Sequence, residues 1–416
     1  MRVHNGIGVR LLYAFWAIVS IAFAGDGAGV RQFRGNPTHT FYGTGEVPAT
    51  EPQILWSFRT GQSYSGKLTR PWEGLGWTGQ PAVCPEEDRM VVYIAALDGY
   101  IYALDFRTGE LLRRSPQRYY IIKSSPAVTD RYIIFGSWDN CVHVLDRFTF
   151  RWVWADTAIW TASASYDFDS SPTVEGDHLY IGGEDGYVRR IRLGPEFRRE
   201  WIYPHSAPTS PFTYGNSGKP YVGIESSVAV WRDRLVVGTG RGTVLILNKR
   251  NGHLLKQIVT GDDTDSSPVI DTTDSSFYIG VEKDFTDKRG GLYKFSLSGE
   301  QRWFFPTGAK GVFSTAALDS HRVVFTGDDG YLYALRKRDG HLLWKTRLAD
   351  GSWCSPILVN GRIVVGDYAG YLYGVEAASG HILWRKKLGN YIIASPVIWE
   401  GVILIGTRDG YIHALR

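Results

Sequence analysis

The sequence predicts an all-β chain folded as an eight-bladed β-propeller of four-stranded antiparallel blades, closed by an N-terminal strand. Three observations predict it. The phrase "DDGYLYALRKRDGHLLW" at 328–344 returns as "YAGYLYGVEAASGHILW" at 368–384, and weaker copies bring the total to eight. A second signature, typified by "SSPAV" at 124–128, precedes each phrase and is also found eight times, 40 to 56 residues apart. The last phrase, "DGYIHALR" at 409–416, stops at its middle, and the unclaimed "ILWSF" at 54–58 supplies the missing end. Self-similarity at such a period marks a repeat architecture in which no unit buries its core alone.

Each unit reads as four short strands. "SSPAV" is the first, and "RVVFTG" (322–327) and "RIVVG" (362–366) are examples of the second. In the third, "GYLYALR", Tyr331, Tyr333 and Leu335 alternate with Leu332 and Ala334, so both faces are apolar and both should be covered. "HLLW" is the fourth. Asp-Gly pairs such as Asp98-Gly99, Asp185-Gly186, Asp329-Gly330 and Asp409-Gly410 lie between strands two and three. That choice suits a tight two-residue hairpin, so these aspartates are read as turn chemistry, not as ligands. Stacking eight such sheets around an axis covers their faces and removes long exposed edges. A helical solenoid would need a 3.6-residue period, which is absent. A WD40 reading would need repeated Trp-Asp pairs, and Trp138-Asp139, at a turn, stands alone.

Residues 1–24 read as a signal peptide, 25–51 as a lead-in and 52–416 as the propeller. Arg2 and Arg10 precede the apolar run 11–24, which is short for a membrane span, and Ala22-Phe23-Ala24 has the small-x-small pattern of a cleavage site. The alternative is an uncleaved anchor. A cleaved leader places the protein in the periplasm or outside the cell, with no stable membrane span. Aromatic residues make up 14% of the chain and glycine occurs 48 times, a mix that suits twisted sheets with many turns. The formal charge of +4 lies partly in the leader, and no Lys/Arg run remains to support nucleic-acid binding. Three cysteines, Cys84, Cys141 and Cys354, read as free buried thiols, and none follows the leader to carry a lipid. The ten histidines show no metal-ligand spacing, and the sequence supports no G-x-S-x-G, no phosphate loop and no Ser-His-Asp grouping.

The unit A-L-D-x-x-T-G-x-x-x-W, carried by Ala103, Asp105, Thr108 and Gly109, then by Ala334, Gly340 and Trp344, and by Gly380 and Trp384, resembles the tryptophan-docking repeat of the pyrroloquinoline quinone (PQQ)-like propellers. Six blades keep the tryptophan, as Trp56, Trp154, Trp201, Trp303, Trp344 and Trp384, while Arg113 and Lys256 replace it in two. The resemblance implies that each indole packs on small residues of the next blade. It implies either of two activities. One is that of the quinoprotein dehydrogenases, which hold PQQ and calcium on the axis. The other is that of non-catalytic scaffolds of the BamB type. No two cysteines here are adjacent, unlike the dehydrogenases, and no cysteine can be acylated, unlike BamB.

In such a ring the residue before "SSP" stands at the mouth of the axis. In blade order these are Thr78, Lys123, Asp169, Glu225, Asp265, Phe313, Trp353 and Ile393, with Asp167 and Asp263 two residues upstream of their neighbours. Lys123, Asp169, Glu225, Asp265, Phe313 and Trp353 are the candidate ligand-binding residues, and Asp169, Glu225 and Asp265 the candidate metal ligands. Clustered oxygens suit a hard cation such as calcium, although three carboxylates fall short of its usual ligand count. A water-filled mouth in which Lys123 offsets Asp169 is the plain alternative. The long loops at 60–77, 155–168, 202–224 and 282–291 should open on the same face. The expectation is an exported, monomeric, non-catalytic propeller that binds a protein partner or a small polar ligand there and needs no cofactor. The alternative is a PQQ- and calcium-dependent oxidoreductase, with Phe313 or Trp353 stacked on the quinone.

Overall fold

Alternation of aromatic and aliphatic residues in the repeat phrase lets both faces of each third strand be covered, and all four central residues of Tyr331–Arg336 are buried. The computed structural model describes residues 29–64, 71–77, 79–160, 163, 165–213, 218–286, 290–308 and 310–416. The expected leader at 1–24 lies outside them. Eight four-stranded antiparallel sheets form, each ordered from an inner to an outer strand. The first comprises Ala82–Glu86, Arg89–Ala95, Ile101–Asp105 and Leu111–Arg114. The eighth takes Val397–Trp399, Val402–Gly406 and Tyr411–Leu415 from the C-terminus and Ile54–Arg59 from the N-terminus. Ile54 faces Leu415 and Arg59 faces Tyr411, so both chain ends share one sheet. A small ribbon, Gln62–Ser63 with Trp72–Glu73, stands in the first long loop.

The hairpins between strands two and three differ from the expected two-residue form. Gly327 pairs with Tyr331, so the loop holds three residues, Asp328, Asp329 and Gly330. Of these Gly330 alone has positive φ, at 79°. A two-residue type I′ turn would need positive φ at both central positions, and an aspartate does not supply it cheaply. The turn aspartate instead reaches across to the loop arriving from the preceding blade. Asp98 Oδ2 accepts from Gly61 N at 2.6 Å, Asp185 Oδ2 from Ile159 N at 2.7 Å and Asp329 Oδ2 from Gly308 N at 3.0 Å.

Docking of the outer strands is carried by the tryptophans. The indole N–H of Trp56 donates to Phe106 O, that of Trp201 to Lys249 O, that of Trp303 to Lys337 O and that of Trp344 to Ala377 O, at 2.9 to 3.2 Å. In blade eight the third and fourth strands are not joined by a turn, and Pro48 O of the lead-in accepts from Trp384 at 2.8 Å instead. Where Trp gives way, the spot is still filled. The Arg113 guanidinium lies 5.5 Å from the centroid of Phe150, which occupies the position of the docking glycine, and the stem of Lys256 covers Gly299. At Gly109, with φ +72°, an added Cβ would stand 2.5 Å from the Trp56 ring. Gly109→Ala is therefore expected to lower stability by about 1–2 kcal/mol from backbone strain alone, with the clash added. A chemical-denaturation midpoint equal to that of the parent would disprove this.

The "SSP" signature proves to be a belt. The second serine of one blade accepts from the equivalent backbone N–H of the blade before it. Gln80 N donates to Ser125 Oγ, Ser125 N to Ser171 Oγ, Ser171 N to Ser227 Oγ and Ser227 N to Ser267 Oγ, at 2.9 to 3.0 Å. Ser267 N then donates to Thr315 Oγ1 at 3.1 Å and Thr315 N to Ser355 Oγ at 2.9 Å. The first serine ties strand one to strand two, as Ser124 Oγ does with Gly136 N and O at 3.0 Å.

Inner strands leave an edge of unpaired N–H groups around the axis, and the lead-in satisfies them. Val83 N donates to Val30 O, Val128 N to Arg31 O, Val230 N to Pro37 O, Ile270 N to Thr38 O and Ile398 N to Tyr42 O, at 2.7 to 3.3 Å. Val174 N uses Gln32 Oε1 at 2.7 Å and Leu318 N uses Tyr42 OH at 2.8 Å. Blade seven is met by Arg34, which is fully buried and donates to Pro356 O at 2.6 Å and Ala316 O at 2.5 Å. Residues 30–42 thus hydrogen-bond all eight blades at the end of the axis opposite the long loops.

Candidate functional site

Among the described residues, blades two, three and five to eight each bring two residues to the loop-side mouth of the axis. The first is the residue before "SSP". The second stands one position before the turn-aspartate position (filled by Lys283 in blade five and Ala369 in blade seven), and its backbone N–H bonds the loop leading to the first: Trp138 N to Ile121 O, Glu184 N to Asp167 O, Glu282 N to Asp263 O, Tyr368 N to Gly351 O and Arg408 N to Tyr391 O. That repeated bond stacks the two rings of side chains at one level of the funnel.

Blades three to five form an acidic arc. Carboxylate oxygens of Asp169, Glu184 and Glu225 lie within 4.8 Å of one another, and so do those of Asp263, Asp265 and Glu282. The three candidate metal ligands are therefore divided: Asp169 and Glu225 sit together, while Asp265 stands in the second group. Lys123 Nζ bonds Asp169 Oδ2 at 2.5 Å, and Trp138 Nε1 donates to Asp169 Oδ1 at 2.7 Å. Tyr221 OH donates to Glu225 at 2.9 Å. In the second group Asp265 N donates to Glu282 Oε1 at 3.1 Å, while Glu282 Oε2 is buried with no hydrogen-bond partner.

Burial, and then the charge of Asp169, raise the Asp167 carboxyl to about 7. Burial also raises Glu225 to about 7; Lys123 opposes the rise and Asp169 adds to it. Glu184, Asp263, Asp265 and Glu282 are held well above the usual carboxylate range, first by burial and then by neighbouring carboxylates. Burial works to lower the Lys123 ammonium, but Asp169, Glu225 and Glu184 outweigh it and hold the ammonium above its ordinary value. The arc therefore carries several protons near neutrality that a cation could displace.

The opposite arc is aromatic. Phe313 stacks on Trp353 at 4.7 Å, Trp353 meets Tyr368 edge-on at 5.8 Å, and Tyr368 stacks on Tyr391 at 4.6 Å. Arg408 lies over Trp72 at 4.7 Å, Trp72 meets Trp138 at 5.4 Å, and Lys123 lies over Trp138 at 4.5 Å. Ile393, in blade eight, is buried, and Thr78 lies outside the described residues.

Sequence reasoning missed the second ring: Trp138, Glu184, Glu282, Asp328, Tyr368 and Arg408. The signal was present in the same repeat alignment, one residue before the position where four blades have Asp-Gly. The long loops share the funnel's face, as Phe212 of one loop stacks on Phe285 of another at 4.9 Å. Trp160 and Tyr64 stand on these loops 72% and 64% exposed.

Fold and site together define a tryptophan-docked, eight-bladed propeller of PQQ-like repeats with a polar axis mouth. Residues 97–282 and 288–416 match the family described as outer membrane protein assembly factor BamB, and the chain belongs to that family. Among solved structures, BamB from Moraxella catarrhalis superposes with a TM-score of 0.65 at 16% identity, covering 88% of this chain and 100% of that one. The computationally designed Ika8 protein superposes with a TM-score of 0.60 at 13% identity, covering 82% and 99%. No curated protein matches the sequence. No helix among the described residues is long and apolar enough to cross a membrane.

Proposed function

We propose that this chain is an exported, non-catalytic propeller that docks a protein partner on its looped face, with a cationic side chain of that partner entering the acidic arc. The observation that carries this reading is the pairing of two carboxylate groups with an aromatic wall, at the end of the axis that the lead-in does not occupy. Exposed Trp160 and Tyr64 on the surrounding loops supply the anchor chemistry typical of protein interfaces. Export rests on the apolar run at 11–24, and the scaffold role on membership of a family described by outer membrane protein assembly.

A photo-crosslinker placed at Trp160 in cells is expected to trap a discrete protein adduct. The adduct should weaken strongly in Asp263→Asn, Glu282→Gln protein, and a crosslinker at Leu343, on an outer strand, should give none. An unchanged adduct in the double variant would remove the acidic arc from the reading.

The pH dependence has a definite sign. The arc's carboxyls have folded values above their unfolded ones, so their stabilising contribution is complete below the unfolded values near about 4 and is lost as pH rises through about 7. The free protein should therefore melt lower at about pH 8 than at about pH 5, and the double variant should show a smaller drop. Binding of a cation needs the ionised forms, so its affinity should rise over the same interval. A second reading, favoured by the unpartnered Glu282 Oε2, is a bound divalent cation held by Asp263, Asp265 and Glu282. Calcium that raises the melting temperature of the wild type but not of the double variant would select it.

A further inference from the structure

Blade two departs from a pattern that five blades keep. Two residues after the turn aspartate position stands a tyrosine in five blades: Tyr100, Tyr187, Tyr331, Tyr371 and Tyr411. Two residues further on, the hairpin is locked by a side chain that bonds the aspartate, as Tyr102 does with Asp98 at 2.5 Å and Tyr333 with Asp329 at 2.7 Å. In blade two these positions are Cys141 and His143, beneath Asp139. The hairpin lock survives, with His143 Nε2 at 2.9 and 3.0 Å from the Asp139 oxygens. Hairpin locking thus accounts for the histidine but not for a cysteine beside it. Residues two apart on a strand share a face, so thiol and imidazole point the same way.

We propose that Asp139, Cys141 and His143 form a binding site for one borderline-soft divalent cation of the zinc class. One ligand atom from each lies within 4.8 Å of the other two. A thiolate, an imidazole and a carboxylate make a donor set that favours zinc over calcium or magnesium. The Asp139 side chain is 33% exposed, which leaves an approach for the ion and room for water to complete four-coordination. The Nδ1 of His143 is buried without a hydrogen-bond partner, so the tautomer is not fixed from that side. Burial, and then Asp139 and Asp156, raise the Cys141 thiol to about 11, so in the free protein it keeps its proton. On binding, the metal–sulfur bond replaces the S–H bond, the proton leaves to solvent, and the metal takes the place of the hydrogen bond between Asp139 and His143. The sequence reading, which treated the histidines, cysteines and carboxylates separately, overlooked this group, and it placed Cys141 among buried thiols where the structure leaves it only partly buried. The three ligands belong to neither carboxylate group of the funnel, although Asp139 directly follows Trp138 of its second ring.

The test uses the purified full chain with cobalt(II) as a spectroscopic probe. The wild type should show a sulfur-to-cobalt charge-transfer band saturating at about one equivalent, bleached by added zinc. Cys141→Ser should lose the band, and His143→Asn should weaken binding by about tenfold or more. Cys84→Ser and Cys354→Ser should keep it. A double variant, Cys141→Tyr with His143→Tyr, restores the pair used by blades one, six and seven. It should fold with the melting temperature of the metal-free wild type and bind no cobalt, which separates loss of the site from loss of the fold. No band in the wild type, or a band that persists in Cys141→Ser, overturns the proposal.

Discussion

Removal of residues 29–50, with Ile54–Arg59 kept, is expected to abolish the cooperative thermal transition of the propeller. The segment satisfies an inner-strand N–H in seven blades and brings the Arg34 guanidinium to two further carbonyls. A buried donor or acceptor left unmade costs about 1–3 kcal/mol. Water entering the opened axis would recover part of that, yet even a fraction of each loss approaches the whole stability of a typical domain, about 5–15 kcal/mol. The deletion also removes Pro48, the acceptor for the Trp384 indole. Calorimetry of the truncated chain should show a broad, weak transition or none, and a synthetic peptide of residues 29–50 should restore part of it. A truncated chain that melts sharply at the parent temperature would show that the blades close the axis without the segment.

Trp384→Ala should destabilise by about 3–5 kcal/mol, the usual cost of truncating a large buried aromatic. The side chain is 5% exposed, belongs to the largest apolar cluster, and lies against Gly374 of its own blade. Truncation leaves a cavity and an unpaired Pro48 carbonyl together. Trp344→Ala should cost less, because that indole is only partly buried, although it covers Gly380 of the next blade. Urea midpoints decide both the size and the order. Equal, near-zero shifts would show that the docking tryptophans contribute little to blade cohesion.

Much of this fold was legible because the repeat states each structural need eight times. Blade number, strand order and the shared eighth blade follow from the two signatures and from the orphan "ILWSF". The hairpin geometry was misread because Asp-Gly suits two turn families, and only the φ of the aspartate separates them. At the funnel, the first ring could be found from the serine signature. The partition of its carboxylates into two groups could not, because it depends on Glu184 and Glu282, which enter from a different strand. The role of "QFRGNPTHTFY" was hidden for a further reason. It pairs with inner edges by following a curve set by all eight blades, and no local periodicity encodes such a path.

The shared eighth blade also orders events in time. Ile54–Arg59 leaves the ribosome early, but its pairing partner Tyr411–Leu415 is made after every other strand of the ring. The lead-in meets its first hydrogen-bond partners in blade one and its last in blade eight, so it must wait, partly unsatisfied, while the ring is synthesised. An open array of repeats can add units and fray from either end. This ring has no end to fray from once the latch has shut, and its slowest folding step should be that shutting, since it closes the longest loop in the chain. A nascent chain stalled before residue 411 would hold an unlatched strand and an unfinished axis, and would depend on chaperones to keep both from pairing with a neighbour.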